Sequence, residues 1–379
     1  MPGPADPMIE RGDPVLRLCL AGDVMTGRGV DQIMRHPGDP ELYEPWVRWS
    51  GRYVDLAEER SGPMPSAVAP DYIWGDALGW LRRGDIRLVN LETAVTDRGT
   101  PWPGKGIHYR MHPDNVDCLT VAGIDVATLA NNHVMDWGES GLAQTLDVLD
   151  GAGIRVVGAG RDDGEAWRPV VVARGPHRVS VFGVGALSSG IPHQWAARPG
   201  RPGVAFLADL DDRALDAIAS VIADAGTGDD VVVASIHWGA NWGYGLPEEH
   251  RRFAHRLIDR VGVDVVHGHS SHHPLGIEVH RDRLIIYGCG DLVTDYEGIG
   301  GHRRYRGELG ALYVATLEHT GRLRELRIVP TKVERFRLAR PSSEEVGWLA
   351  GTLDREGRPL GTTVNEGGDG TLLLEWGHR

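Results

Sequence analysis

Four imidazoles fall within seven residues of the stretch Val266–Pro274: His267, His269, His272 and His273. Neutral imidazole is the commonest metal-ligating side chain. These four follow the apolar run Val263-Asp264-Val265-Val266, which reads as a buried strand, and a strand end with a Gly-containing turn is a good place to converge ligands. The alternative for the stretch alone is a His-rich surface loop.

The same pattern recurs along the chain. Leu16–Ala21 runs into Gly22 and Asp23, and Ile86–Leu91 ends at Glu92, a residue type that strands seldom carry. Asp125–Leu129 empties into Asn131, Asn132, His133 and Asp136. Val231–Ile236 ends at His237, and Leu284–Tyr287 feeds Cys289 and Asp291. Each has a local explanation: Asp23 or Asp136 capping a helix, Asp291 capping a loop or fixing the tautomer of a histidine, Cys289 as an inert buried thiol. Together they put carboxylates, an amide oxygen and imidazoles at the ends of many strands, where α/β proteins keep their sites. That donor set suits a divalent ion such as Mn, Zn, Fe or Ca, and a shared carboxylate can bridge two ions.

The elements that must hold these residues alternate. Between the strands, helical periodicity predicts helices near Gly29–Met34, Val47–Glu59, Trp74–Leu81, Val116–Ala122, Gly141–Ala152, Leu210–Ala225 and Glu248–Val261. Further strands are expected at Arg155–Val157, Val170–Ala173 and Val179–Val184. Ala311–Leu317 and Leu323–Val329 read as an antiparallel pair. Residues 36–70, rich in Pro, Gly and charge, look like an inserted loop with the bearing of a lid. Residues 336–379 read as a C-terminal appendage to a catalytic domain of about 15–335.

Composition narrows the function classes. With 379 residues, 41% of them apolar and 25% charged, the chain is ordinary for a globular protein. A net charge of −13 argues against nucleic acid or anionic membrane as a partner. Two lysines, Lys105 and Lys332, leave little room for a pyridoxal-phosphate Schiff base, and no glycine-rich phosphate loop supports a nucleotide. Three cysteines and a polar Met1–Pro14, neither a signal peptide nor an anchor, lead to the expectation of a cytoplasmic protein.

The ordered blocks Gly22-Asp23, Asn90-Leu91-Glu92, Asn131-Asn132-His133 with Asp136 and Gly138, His237-Trp238-Gly239, and Gly268-His269 with His272 resemble the CapA-like branch of the calcineurin-like metallophosphoesterase superfamily. The resemblance implies a calcineurin-like metallophosphoesterase fold, two β-sheets sandwiched between helices, with a metal centre at the strand ends. It makes Asp23 a metal carboxylate, Glu92 the bridging one, Asn132 an amide ligand, His133 the catalytic histidine, and His237, His269 and His272 imidazole ligands. Two departures stand out: the usual Asp-x-His is Asp23-Val24-Met25, and Ser270-Ser271 lengthens the usual Gly-His-x-His.

Among such proteins, the chain is similar to the peptide epimerases of ribosomal-peptide pathways, lasso-peptide enzymes among them. That similarity implies metal-dependent inversion of the C-terminal Cα of a precursor peptide, without an organic cofactor. Inversion needs a base on each face; His133 serves one, and Asp291 is the choice for the other, ahead of His269 and Cys289. Trp238 and Trp242 could wall the substrate pocket, His267 could contact substrate, and Arg303, in His302-Arg303-Arg304-Tyr305-Arg306, could receive a peptide carboxylate unless that segment is simply a solvated face. A metallophosphoesterase and a non-catalytic peptide- or polymer-binding protein are the alternatives.

Overall fold

The computed structural model describes residues 15–226, 228 and 230–377; the expectation for Met1–Pro14 lies outside them. Besides two-residue strands, the chain first lays down β1 (Leu16–Val24), β2 (Ile86–Leu91), β3 (Val126–Thr128) and β4 (Arg155–Val157). It then builds β5 (Val170–Arg174), β6 (His177–Ala186), β7 (Val231–His237), β8 (Val265–His269), β9 (Ile277–His280) and β10 (Arg283–Ile286). Finally it returns with β11 (Asp291–Val293), β12 (Leu309–Leu317), β13 (Leu323–Glu334), β14 (Arg337–Ala339), β15 (Thr362–Glu366) and β16 (Leu372–Trp376). The result is a mixed α/β protein with several sheets.

One sheet has the order β15-β16-β13-β12-β1-β2-β3-β4, with β11 on β1 and β14 on β13; the other runs from the short strand Phe206–Leu207 through β6-β7-β8-β10-β9, with β5 on β6. The strands β1 to β4 are parallel, as are β6, β7, β8 and β10. Parallel neighbours bring their C-terminal ends to one edge, and those ends carry the polar residues singled out above.

Alternation along the strands builds the layers. In β1, Leu16, Leu18 and Leu20 pack with Val231, Val233 and Val265 of the other sheet, so the two sheets face each other across a shared core. The opposite faces are covered by helices: Cys19 and Ala21 pack with Leu142 and Leu146, and Val232, Ala234 and Ile236 with Ile218 and Phe253. Toward the C-terminal strand ends this apolar interior turns polar. Thr128 Oγ1 lies 2.8 Å from Ser235 Oγ, and His267 Nε2 lies 2.9 Å from the Ala21 carbonyl, both contacts crossing between sheets.

The segment expected to be an appendage belongs to this body. β14 and β16 pair with β13, β15 extends the sheet beyond them, and Val346, Leu349 and Leu353 of the helix Ser343–Gly357 pack into the inter-sheet core. The predicted helix over Trp74–Leu81 breaks at Gly75, where φ is 41° and a Cβ would come within 2.0 Å of the Leu338 carbonyl. Residues 36–70 hold one helix, Gly51–Ser61. Among the described residues no helix is long and apolar enough to cross a membrane.

Candidate metal centre

Register decides which strand-end side chains meet. Asp23 stands opposite Asn90 of β2 and Asp291 of β11, and the register of β1 slips at Gly22. A Cβ at Gly22 would lie 1.9 Å from the Gly290 carbonyl, so only glycine allows β11 this close. In the second sheet, Ser235 stands opposite His267 and His237 opposite His269.

Asp23 is fully buried beside the Glu92 carboxyl; its Oδ1 accepts from Asn90 Nδ2 at 2.8 Å, and among the described residues its Oδ2 has no hydrogen-bond donor. Asp291 pairs with His272, Oδ1 to Nδ1 at 2.8 Å, and its Oδ2 is likewise unpartnered. Donor atoms of Asp23, His237 and His269 lie within 4.8 Å of one another, and so do those of Asp23, His272 and Asp291. His237 Nδ1 is 2.8 Å from His269 Nδ1, while His237 Nε2 is 3.1 Å from Asn132 Oδ1. Buried carboxylate oxygens without partners are costly, and a divalent cation is the group that satisfies them. The donor set fits such an ion.

The electrostatics agree. Burial, then the neighbouring Asp291, pushes the Asp23 carboxyl up to about 7. Burial and then Asp23 hold Glu92 well above the usual carboxylate range. Burial drives His237 and His269 well below the ordinary imidazole value, which leaves them neutral with lone pairs to donate. His272 moves the other way: burial opposes its charge most strongly, but the charge and hydrogen bond of Asp291 together with the charge of Asp23 raise it.

His133 forms a separate unit. Its Nδ1 is 2.6 Å from Asp136 Oδ2 and its Nε2 is 3.8 Å from Glu92 Oε1. Lys105 reaches in from the preceding Gly/Pro loop to touch Asp136 and the Asn132 carbonyl. Burial, reinforced by Lys105, lowers His133 to about 4. The imidazole is therefore neutral at physiological pH and oriented by its carboxylate. A cleft of about 740 Å³ reaches this assembly at His272 and Asn241 and runs outward past Trp242, Tyr296 and Arg303.

The structure thus brings together Asp23, Glu92, Asn132, His133, His237, His269, His272 and Asp291, and puts Trp242 and Arg303 on the cleft wall. Three expectations change. Glu92 lies outside both groups of converging donor atoms, between His133 and His237, and the carboxylate common to the two groups is Asp23. His267 has both ring nitrogens engaged inside the protein, by Ser235 and the Ala21 carbonyl, so it does not contact substrate. Trp238 is core: its Nε1 donates to the Tyr287 carbonyl at 2.9 Å and its ring stacks on His250.

Several participants carry a fainter sequence signal. Asn90 links Asp23 and Glu92, and Asn131 Nδ2 braces Asn90 Oδ1 at 3.0 Å. The strand-end block Asn90-Leu91-Glu92 draws attention to its acid rather than to its amide. Asn241 meets His272 from a loop with no periodic pattern. Lys105 is marked only by the rarity of lysine in this chain.

Residues 17–296 match the family described as bacterial capsule synthesis protein PGA_cap. The chain is 48% identical over 360 residues to a Mycobacterium tuberculosis protein named as a probable polyglutamine synthesis accessory protein, covering 93% of this chain and 94% of that one. It is 27% identical over 288 residues to the PGA biosynthesis protein CapA of Bacillus subtilis, covering 75% of this chain and 64% of that one. The capsule biosynthesis protein CapA of Bacillus anthracis is 24% identical over 292 residues, with 76% and 62% covered. With both its strand-end motifs and most of its length inside that match, the chain belongs to the bacterial capsule synthesis protein PGA_cap family.

Proposed function

We propose that this protein is a metal-dependent accessory enzyme in the synthesis of a glutamine- or glutamate-type polymer, inverting the Cα of a terminal residue within a calcineurin-like fold. The names of its relatives move the substrate from a lasso-type precursor peptide toward such a polymer. The observation that carries the reading is the pair of unpartnered buried oxygens, Asp23 Oδ2 and Asp291 Oδ2, beside imidazoles where a cleft ends.

Asp23, His237 and His269 would hold the ion, with Glu92 and Asn132 beside them. The ion would supply Lewis-acid stabilisation of negative charge developing on a substrate carboxylate. Two imidazole–carboxylate pairs flank that group, His133–Asp136 and His272–Asp291. Inversion needs one group to take the Cα proton and another to return it from the opposite face. His133, neutral and held by Asp136, takes a proton at Nε2. His272, expected as a ligand, takes the place of Asp291 as the second group: its charged form, which the Asp291 carboxylate favours, returns a proton.

The test combines metal analysis with turnover in deuterated water, using short oligoglutamine and oligoglutamate peptides. Deuterium at one terminal Cα with mixed configuration is expected, with one ion per chain. Two ions per chain would make His272 and Asp291 ligands and remove the second proton donor. Phosphate release from simple esters without exchange would replace the reading with a phosphoesterase, the role in which His133 protonates a leaving group. Tight peptide binding with neither activity would leave a binding protein.

A further inference from the structure

Four arginines line the cleft above the metal centre, Arg28, Arg60, Arg303 and Arg306. Two are already engaged by the protein. Arg28 is buried, with Nε donating to Asp295 Oδ2 at 3.1 Å and a second nitrogen to Glu44 Oε1 at 2.9 Å. Arg306 Nε donates to Glu308 Oε1 at 3.0 Å and its terminal nitrogen to Glu345 Oε1 at 3.2 Å. The acids of the wall are engaged too: Glu308 by Arg306, and Glu297 by Ser61 Oγ and by the Phe336 amide at 3.2 Å. Arg60 and Arg303 are exposed, and among the described residues neither side chain has a hydrogen bond or ion pair.

From this we infer that Arg60 and Arg303 read carboxylate side chains along the bound polymer, so that the cleft selects an acidic chain over its amide counterpart. The inference rests on the polymer reading above. A guanidinium presents a planar fork of donors that a carboxylate accepts with two parallel hydrogen bonds and full charge complementarity. A carboxamide offers one oxygen, and its NH₂ turns donors toward donors. The two arginines come from separate elements, Arg60 from the last turn of the helix Gly51–Ser61 and Arg303 from the turn Arg303–Tyr305. The 36–70 insertion therefore contributes to specificity.

The surface between them suits an extended chain. Gly298 closes the wall onto the helix that carries Arg60, since a Cβ there would lie 2.2 Å from the Leu56 carbonyl. Gly300 and Gly301 have open space where side chains would stand, which leaves backbone accessible along the wall. Trp242 stacks on His302 with ring centroids 4.2 Å apart and planes 3° from parallel, a flat shelf beside His272. A volume of about 740 Å³ is in the range that encloses a drug-sized ligand, enough for a few residues of a chain end. Because the whole protein carries −13, an acidic polymer is repelled at long range, and local guanidinium contacts are what must hold it.

The experiment measures binding of fluorescent oligoglutamate and oligoglutamine to the metal-loaded full chain, to Arg60→Gln, to Arg303→Gln and to the double variant, with metal content as the control for folding. Wild type should prefer oligoglutamate about tenfold at low salt, and each substitution should reduce that preference about 3–5-fold, less so at high salt. Arg303→Lys should keep part of the preference, because the charge remains and the fork is lost. Equal affinity of wild type for the two oligomers, or an undiminished preference in the double variant with normal metal content, overturns the inference and leaves the polymer reading standing. Failure of wild type to bind either oligomer overturns both.

Discussion

Residues at the centre divide into those that would hold charge and those that would move a proton. His237→Ala should strip the protein of metal, and His133→Ala should keep the metal while lowering turnover by about 10²–10⁴-fold. Metal analysis alongside the exchange assay checks both, and full turnover in His133→Ala would remove its acid/base role. The raised Asp23 carboxyl gives a pH test with a definite sign. Folded, metal-free protein keeps the Asp23 proton up to about 7, whereas an ordinary aspartate loses it near 3.8. Over that window the folded state binds more protons than the unfolded one, so metal-free stability falls as pH rises. Metal competes with the same proton, so its affinity rises over the same window. Melting temperatures of chelated and metal-loaded protein between about pH 5 and pH 8 should diverge; parallel curves would show that Asp23 is not a ligand.

At the scale of elements, the centre depends on how closely β11 approaches β1. Gly22→Ala would drive a Cβ into the Gly290 carbonyl at 1.9 Å and the Cys289 side chain at 2.8 Å. Separating those strands moves Asp23 away from Asp291. The variant should lose about 2–4 kcal/mol of stability and bind metal more weakly, as read by urea melts and metal titration. Metal affinity equal to wild type would mean that the strand junction does not set the ligand geometry. Lys105 does comparable work for the Gly/Pro loop, tying it to Asp136 and to the Asn132 carbonyl beside His133.

For the molecule as a whole, the C-terminal segment is part of the fold rather than an accessory to it. Val346, Leu349, Leu353, Leu372 and Leu374 are all buried in the inter-sheet core. Each such side chain stabilises by about 1.5–3 kcal/mol, so together they rival the about 5–15 kcal/mol that keeps a typical domain folded. A chain ending at residue 335 should therefore be insoluble or lack a cooperative melt. A soluble truncated protein that still binds metal would restore the appendage reading.

Much of the centre was legible in the sequence because most of its residues are polar groups closing or following an apolar run. Runs of that kind alternating with helical periods imply parallel strands, whose ends share an edge. Asp23, His133, His237, His269, His272 and Asp291 could be named on those grounds. The sharing of Asp23 rather than Glu92 could not, because it depends on the register slip at Gly22 and on a strand 268 residues further along the chain at Asp291. Trp238 and Trp242 follow the same ligand in sequence, yet one enters the helical layer and the other the cleft, a matter of where the backbone turns after β7. The closing helix and strands looked polar and Gly-rich because their apolar side chains find partners only in the two sheets. Sequence determined which chemistry is carried and at which strand ends. Tertiary structure decided which of those ends meet, since register and long-range pairing are set by packing between elements distant in the chain.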